Sequence, residues 1–169
     1  WLDWTTIGNA LVDSSPAWSL MGVELTDYAG ERVRIAFFHT AGVTYASTGW
    51  YIDDIQIIRK VPECTGDFES GWGGWGADRG LWEVGAPTAG PDSCHGGSNC
   101  AGTVLGGNYP TQTDSRLISP SIVLPGVSGD EELHLCFWHW FSFARYSAGY
   151  VQVSVYDESI GEWLDWTDI

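Results

Sequence analysis

Positive charge is what this chain has least of: 7 Lys and Arg stand against 22 Asp and Glu, a formal net charge of -15. A phosphate-binding surface needs clustered basic residues, so nucleic acid is excluded as a partner, and an anionic membrane surface with it. No apolar run approaches the roughly 20 residues that cross a bilayer, which excludes membrane insertion by a helix. No signal peptide is visible, and a chain starting mid-pattern would not show one. Neither H-E-x-x-H nor G-x-S-x-G occurs. Asp53 and Asp54 are neighbours that a regular strand points to opposite faces, whereas glycoside hydrolysis needs two carboxylates across a cleft. The expectation is a chain that is not an enzyme.

What is abundant is aromatic and small. There are 11 Trp, 7 Tyr, 6 Phe and 22 Gly in 169 residues, with only 17% charged. The length suits one domain with a real core, and the mixture suits β-structure with many turns. "RVRIAFFH" (32–39) alternates Val33, Ile35 and Phe37 against Arg34 and Ala36. "YVQVSVYD" (150–157) alternates three valines against Gln152 and Ser154, and "ELHLCFWHWFSF" (132–143) puts Leu133, Leu135 and Phe137 on one face. "YIDDIQII" (51–58) and "RLISPSIVL" (116–124) also read as strands, the second interrupted by Pro120. A period of two between turn signals is a strand pattern. Only "GVELTDYAG" (22–30) has room for a helical turn. The expected class is all-β, a jelly-roll sandwich of two antiparallel sheets.

The chain carries one segment twice. "WLDWTTI" at 1–7 and "WLDWTDI" at 163–169 agree at six of seven positions, an offset of 163 minus 1, or 162 residues. A period of that size is a whole domain. The expectation is one period of a tandem array, cut out of register. Residues 1–60 would then be the C-terminal half of one repeat and residues 61–169 the N-terminal half of the next, with a linker at 59–63. A permuted, self-closing unit is the alternative. If one chain's 1–60 completes another's 61–169, strand donation between neighbouring copies would build a filament.

Cys94 and Cys100 flank "HGGSN", a short loop that closes into a disulfide without moving a core; free thiols or a metal site remain as alternatives. The metal needs two more soft ligands, and only His95 is at hand. A disulfide implies an oxidising location, extracellular or at the cell surface. His134 and His139 differ in parity, so a regular strand denies them a shared metal.

Asp53 and Asp54 interrupt an apolar strand, and a buried carboxylate needs a partner or a cation. With few basic residues nearby, Ca²⁺ held by Asp53, Asp54, Glu69 and the loop near Asp92 would answer the charge. The alternative is a carboxylate satisfied by backbone N–H groups. Trp72, Trp75 and Trp82 lie in turn-rich sequence, and Trp138 and Trp140 share a strand face. Trp72 and Trp138 are candidates for stacking on a polysaccharide; the plainer expectation is that the aromatics fill the core and contacts between repeats.

Read as 61–169 followed by 1–60, the chain runs from "CTGDFESGWGGW" through "GNYPTQTDSRLISP" to "GWYIDDIQII". In this order it resembles the MAM-like jelly-roll domains of bacterial secreted proteins, including accessory domains of immune-inhibitor-A-type metallopeptidases. The resemblance implies a jelly roll whose first and last strands pair, with Glu69 on the first, and often a structural cation between them. It implies an accessory role: a structural or adhesive repeat, a carbohydrate-binding module, or the accessory domain of a secreted hydrolase. Among the cysteines only Cys64 stands at a family position, which leaves Cys136 as its candidate partner.

Overall fold

The computed structural model describes residues 11–58, 67–128 and 133–169. The linker at 59–63, Cys64 and the first copy of the repeated heptapeptide lie outside these residues. The described residues form twelve strands: β1 (Ser19–Glu24), β2 (Arg32–Thr40), β3 (Gly49–Ile58), β4 (Gly76–Asp78), β5 (Glu83–Gly85), β6 (Cys100–Gly102), β7 (Asp114–Ile118), β8 (Ile122–Val123), β9 (His134–Ser142), β10 (Ala148–Asp157), β11 (Glu162–Trp163) and β12 (Thr167–Asp168). A single 3₁₀ turn, Thr26–Tyr28, occupies the segment with room for one.

One sheet has the order β1-β9-β3-β6-β5 and the other β11-β10-β2-β7-β4, with β12 also on β10 and β8 on β2. All pairings are antiparallel. β8 prolongs the line of β7 along β2 beyond Pro120, whose missing N–H interrupts the ladder. Lettering B to I along β6, β7, β9, β10, β11/β12, β1, β2 and β3 gives sheets B-I-D-G and C-H-E-F, the jelly-roll order.

Strands from both parts of the chain interleave. β3 lies between β9 and β6, and β2 lies between β10 and β7. Residues 11–58 therefore complete both sheets of residues 67–169 within one chain. β2 and β3, the strands that would be donated, are thus paired on both sides within the chain.

The core follows the period of two. Val33, Ile35 and Phe37 of β2, with Val151 and Val153 beside them on β10, face Trp50 and Ile52 of β3 and Leu135 and Phe137 of β9, all buried. Trp50 meets Phe37 edge-on at 5.5 Å between centroids, and Trp75 stacks on Phe37 at 6.0 Å, so much of the aromatic content is core. His39 and His139 continue the inward parity of β2 and β9 and are buried with them.

Candidate functional site

The outer face of the five-stranded sheet is roofed by the loop between β5 and β6. Tyr51 on β3 anchors it: its hydroxyl donates to the carbonyls of Ala89 (2.8 Å) and Val104 (2.7 Å). Burial, reinforced by the charge of Glu83, pushes the Tyr51 phenol up to about 12, so it stays a donor. Cys94 and Cys100 are joined in a disulfide with Cα atoms 5.6 Å apart. Cys136 is half-buried beside Gly22 of β1 and is a free thiol among the described residues; Cys64, its expected partner, lies outside them.

Asp53 and Asp54 do not alternate. Asp53 pairs with Trp138 and Gln56 with Cys136, so two residues of β3 oppose one of β9. This is a β-bulge, and Asp54 takes φ 49° within it. The extra residue keeps Ile52 and Ile55 on the core side and leaves both carboxylates reaching the roofing loop. The expected opposite orientation is thus corrected: the bulge spares the core a charge. Asp53 is fully buried and cannot meet a substrate, so the pair still does not serve acid-pair chemistry.

The loop answers these carboxylates with backbone donors. Asp53 Oδ2 accepts from the N–H of His95 (2.9 Å) and Gly96 (3.2 Å), and Oδ1 from the N–H of Asp54 (3.0 Å). Burial pushes the Asp53 carboxyl up to about 7, opposed by those three donors. Asp54 Oδ2 lies 2.7 Å from His95 Nδ1, and the His95 ring stacks on Trp138 at 3.9 Å and 9°. Glu69 Oε1 accepts from the N–H of Ser98 (2.9 Å) and Asn99 (2.7 Å). Glycine is required at 97: φ is +59°, and a Cβ would stand 2.4 Å from the Glu69 carboxyl carbon.

Three of the four expected carboxylates thus meet one loop, and Asp92 is exposed on that loop two residues before Cys94. Residues 67–70 are irregular rather than the expected first strand, with Phe68 at φ 54° and Gly71 N–H closing a turn onto Phe68 O. Glu69 reaches the loop from that turn. Among the described residues, the trio of potential ligands within 4.8 Å of one another is Asp53 with Cys94 and Cys100, and both sulfurs are in the disulfide.

The residues missed from the sequence are His95, as partner of Asp54 and cover of Trp138, and the N–H groups of residues 95, 96, 98 and 99. The signal was present in "CHGGSN": small residues in a closed loop present bare N–H groups. Trp138 has one ring face covered by His95, so that face is closed to a sugar. Trp72 borders a small groove with Asp67, Ser70 and Trp75, of which Trp138 is not part. His134 is half-buried and His139 buried, on opposite faces as their parity requires.

The disulfide holds the loop that satisfies Asp53 and Glu69. Closing a loop of this size restricts the unfolded chain by about 2–3 kcal/mol. Reduction, or Cys94→Ala with Cys100→Ala, is expected to lower the melting temperature by about 4–10 °C. A melting curve indifferent to dithiothreitol would contradict this role.

Fold and site together define the class: a jelly-roll β-sandwich whose acidic outer loop is cross-linked by a disulfide. The protein is similar to Bacillopeptidase F of Bacillus subtilis (strain 168), at 27% identity over 181 aligned residues. The match covers 96% of this chain and 12% of that protein, so the chain spans a small part of its relative. No family model matches the chain, and no solved structure does. The disulfide fits an oxidising compartment. Among the described residues, no helix is long and apolar enough to cross a membrane.

Proposed function

We propose that this chain is a non-catalytic accessory module of a secreted hydrolase, with a peptidase as the first candidate. The match to a small part of Bacillopeptidase F supports it: nearly all of this chain corresponds to 12% of a much longer protein whose name is that of a peptidase. The MAM-like resemblance points to the same accessory role. A structural or adhesive repeat in an array of like modules is the second reading, and it rests on the 162-residue offset of the repeated heptapeptide. The reading frame around this chain separates them. A hydrolase catalytic domain in the same frame is the expected result; further copies of the period without a hydrolase would favour the array. Hydrolysis of casein by the isolated chain would overturn the non-catalytic assignment.

Structural Ca²⁺ belongs to the same proposal. Asp53, Asp54 and Glu69 gather at one loop, and His95 is their only ion-pair partner among the described residues. Asp53 has its oxygens occupied by N–H donors. Asp54 and Glu69 each keep an oxygen that accepts no hydrogen bond from the described residues, and Asp92 adds a carboxylate to the loop. Hard oxygen donors of this charge suit Ca²⁺, with Glu69, Asp54 and Asp92 as ligands and Asp53 fixing the loop. At one hundred times its Kd a ligand stabilises by about 2.7 kcal/mol. Millimolar CaCl₂ is therefore expected to raise the melting temperature by about 5–10 °C over EGTA, and Glu69→Gln to abolish the difference. Equal melting in CaCl₂ and EGTA would remove calcium from the proposal.

A further inference from the structure

One cation of this acidic chain is left without an acid. Arg34 of β2 lies between the buried Val33 and Ile35, so its side chain is on the outer face of the seven-stranded sheet. Its guanidinium lies over the Trp163 ring at 4.1 Å and over the Trp166 ring at 5.3 Å. Cation–π contact offsets the charge but supplies no acceptor for the N–H groups. Nε is buried without a hydrogen-bond partner, and no carboxylate of the described residues pairs with Arg34. Arg32, Arg79 and Arg116 are each paired, with Glu158, Asp114 and Asp78. With 22 Asp and Glu against 7 Lys and Arg, an unpaired and half-buried guanidinium is the exception here.

Arg34 opens on a groove of about 440 Å³, which it lines together with Trp163, Gly76, Ala77, Ser119 and Ser121. That volume falls within the roughly 300–1,000 Å³ of small-molecule sites. Asp78, the carboxylate at the groove, is already neutralised: Oδ1 accepts from the Arg116 backbone N–H (2.6 Å) and Oδ2 from Arg116 Nη1 (2.9 Å). The acid is satisfied and the cation is not, so the groove is complementary to an added carboxylate.

Shape and charge narrow the ligand further. Gly76, Ala77 and Ser121 are small and exposed, and beside an indole they suit a sugar ring with hydroxyls on its rim. An added peptide strand would have only the three residues of β4, Gly76–Asp78, to pair with at this edge, too few for a ladder. A net charge of -15 repels a polyanion, so the ligand carries its carboxylate singly on an otherwise neutral chain. We propose that this groove binds a uronate residue of an otherwise neutral oligosaccharide, with Arg34 taking the carboxylate and Trp163 bordering the ring. The inference gives the accessory module a ligand but does not depend on a hydrolase in the same reading frame, so the two can fail separately.

Cellobiouronic acid and cellobiose test it, because they differ by one carboxylate in place of one CH₂OH. Each is titrated into the chain in EGTA, which excludes bridging through calcium, and the Arg34 Nε–H and Trp163 indole N–H resonances are followed. The acid is expected to give saturable shifts at both, and cellobiose to bind at least tenfold more weakly. Arg34→Gln is expected to lose the preference for the acid. Gly76→Tyr blocks the groove without touching Arg34: a Cβ there meets nothing within 4 Å, and its partner Ile118 also lines the groove. This variant is expected to keep the parent melting temperature and to weaken the acid at least tenfold. Equal binding of the two sugars, undiminished binding by Gly76→Tyr, or no saturable shift would each overturn the proposal. So would tighter binding of acetyl-Ala-Ala-Ala with a free carboxylate, which would make the ligand a peptide end.

Discussion

Acidification from pH 7 to pH 4.5 in calcium-free buffer is expected to lower the urea midpoint of this domain, with His39 and His139 responsible. Both imidazoles face the core, and neither His39 ring nitrogen nor Nδ1 of His139 has a hydrogen-bond partner among the described residues. His39 sits against Tyr109 (4.4 Å) and Phe143 (5.5 Å), and His139 between Phe137 (5.6 Å) and Phe141 (5.1 Å). Burial lowers both from 6.5 to about 4. Below pH 6.5 the unfolded chain takes up protons that the folded chain refuses until about pH 4. Stability is therefore complete above pH 6.5 and is lost as pH falls through that window. Each histidine contributes up to about 3 kcal/mol of loss. Asp53 acts in the opposite sense: raised to about 7 from 3.8, it binds a proton in the folded state first and offsets about 4 kcal/mol at most. Two histidines outweigh one aspartate, so the net loss by pH 4.5 is about 2 kcal/mol. His39→Phe and His139→Phe together are expected to remove the acid sensitivity, leaving stability that rises as pH falls. Equal urea midpoints at pH 7 and pH 4.5 in the parent chain would contradict this account.

Asp53→Ala is expected to be the most damaging substitution at the outer loop. It removes the acceptor of three backbone N–H groups, those of Asp54, His95 and Gly96, in a fully buried position. Each buried donor left without a partner costs about 1–3 kcal/mol, so a loss of about 3–5 kcal/mol follows once partial relaxation is allowed. Asp53→Asn keeps one carbonyl acceptor and the volume, and is expected to cost about 1–2 kcal/mol. Chemical denaturation of the two variants at pH 7 checks the ranking. A milder effect of alanine than of asparagine would mean that the desolvated charge, not the amide cradle, dominates this residue.

The register of hydrophobic residues made most of the strands legible. Val33, Ile35 and Phe37, the valines of β10, and Leu133, Leu135 and Phe137 all lie inside as their period of two requires, because one buried face permits only one register. The cysteine spacing made the 94–100 disulfide legible, since so short a loop needs no distant partner. Composition carried the all-β class. The carboxylate site was legible only as a list of residues. Which way Asp54 points depends on a bulge that adds one residue to β3 against β9. That insertion is a property of the pair of strands and has no trace in β3 alone. The sequence shows His95 only as a soft ligand at hand beside Cys94 and Cys100, because its partners, Asp54 and Trp138, are 41 and 43 residues away and meet only through the sheet.

By itself, the sequence determined the class of fold, the closed cysteine loop, the scarcity of basic residues and the presence of one heptapeptide twice. Each is local or compositional, so neighbouring residues suffice to specify it. Only the tertiary structure decided that residues 11–58 complete the sheets of the same chain, that both aspartates turn to one loop, and that the second copy of the heptapeptide lies beside β10. Those outcomes depend on which strand lies next to which, and pairing between distant segments is settled by packing and backbone hydrogen bonds across the whole sandwich.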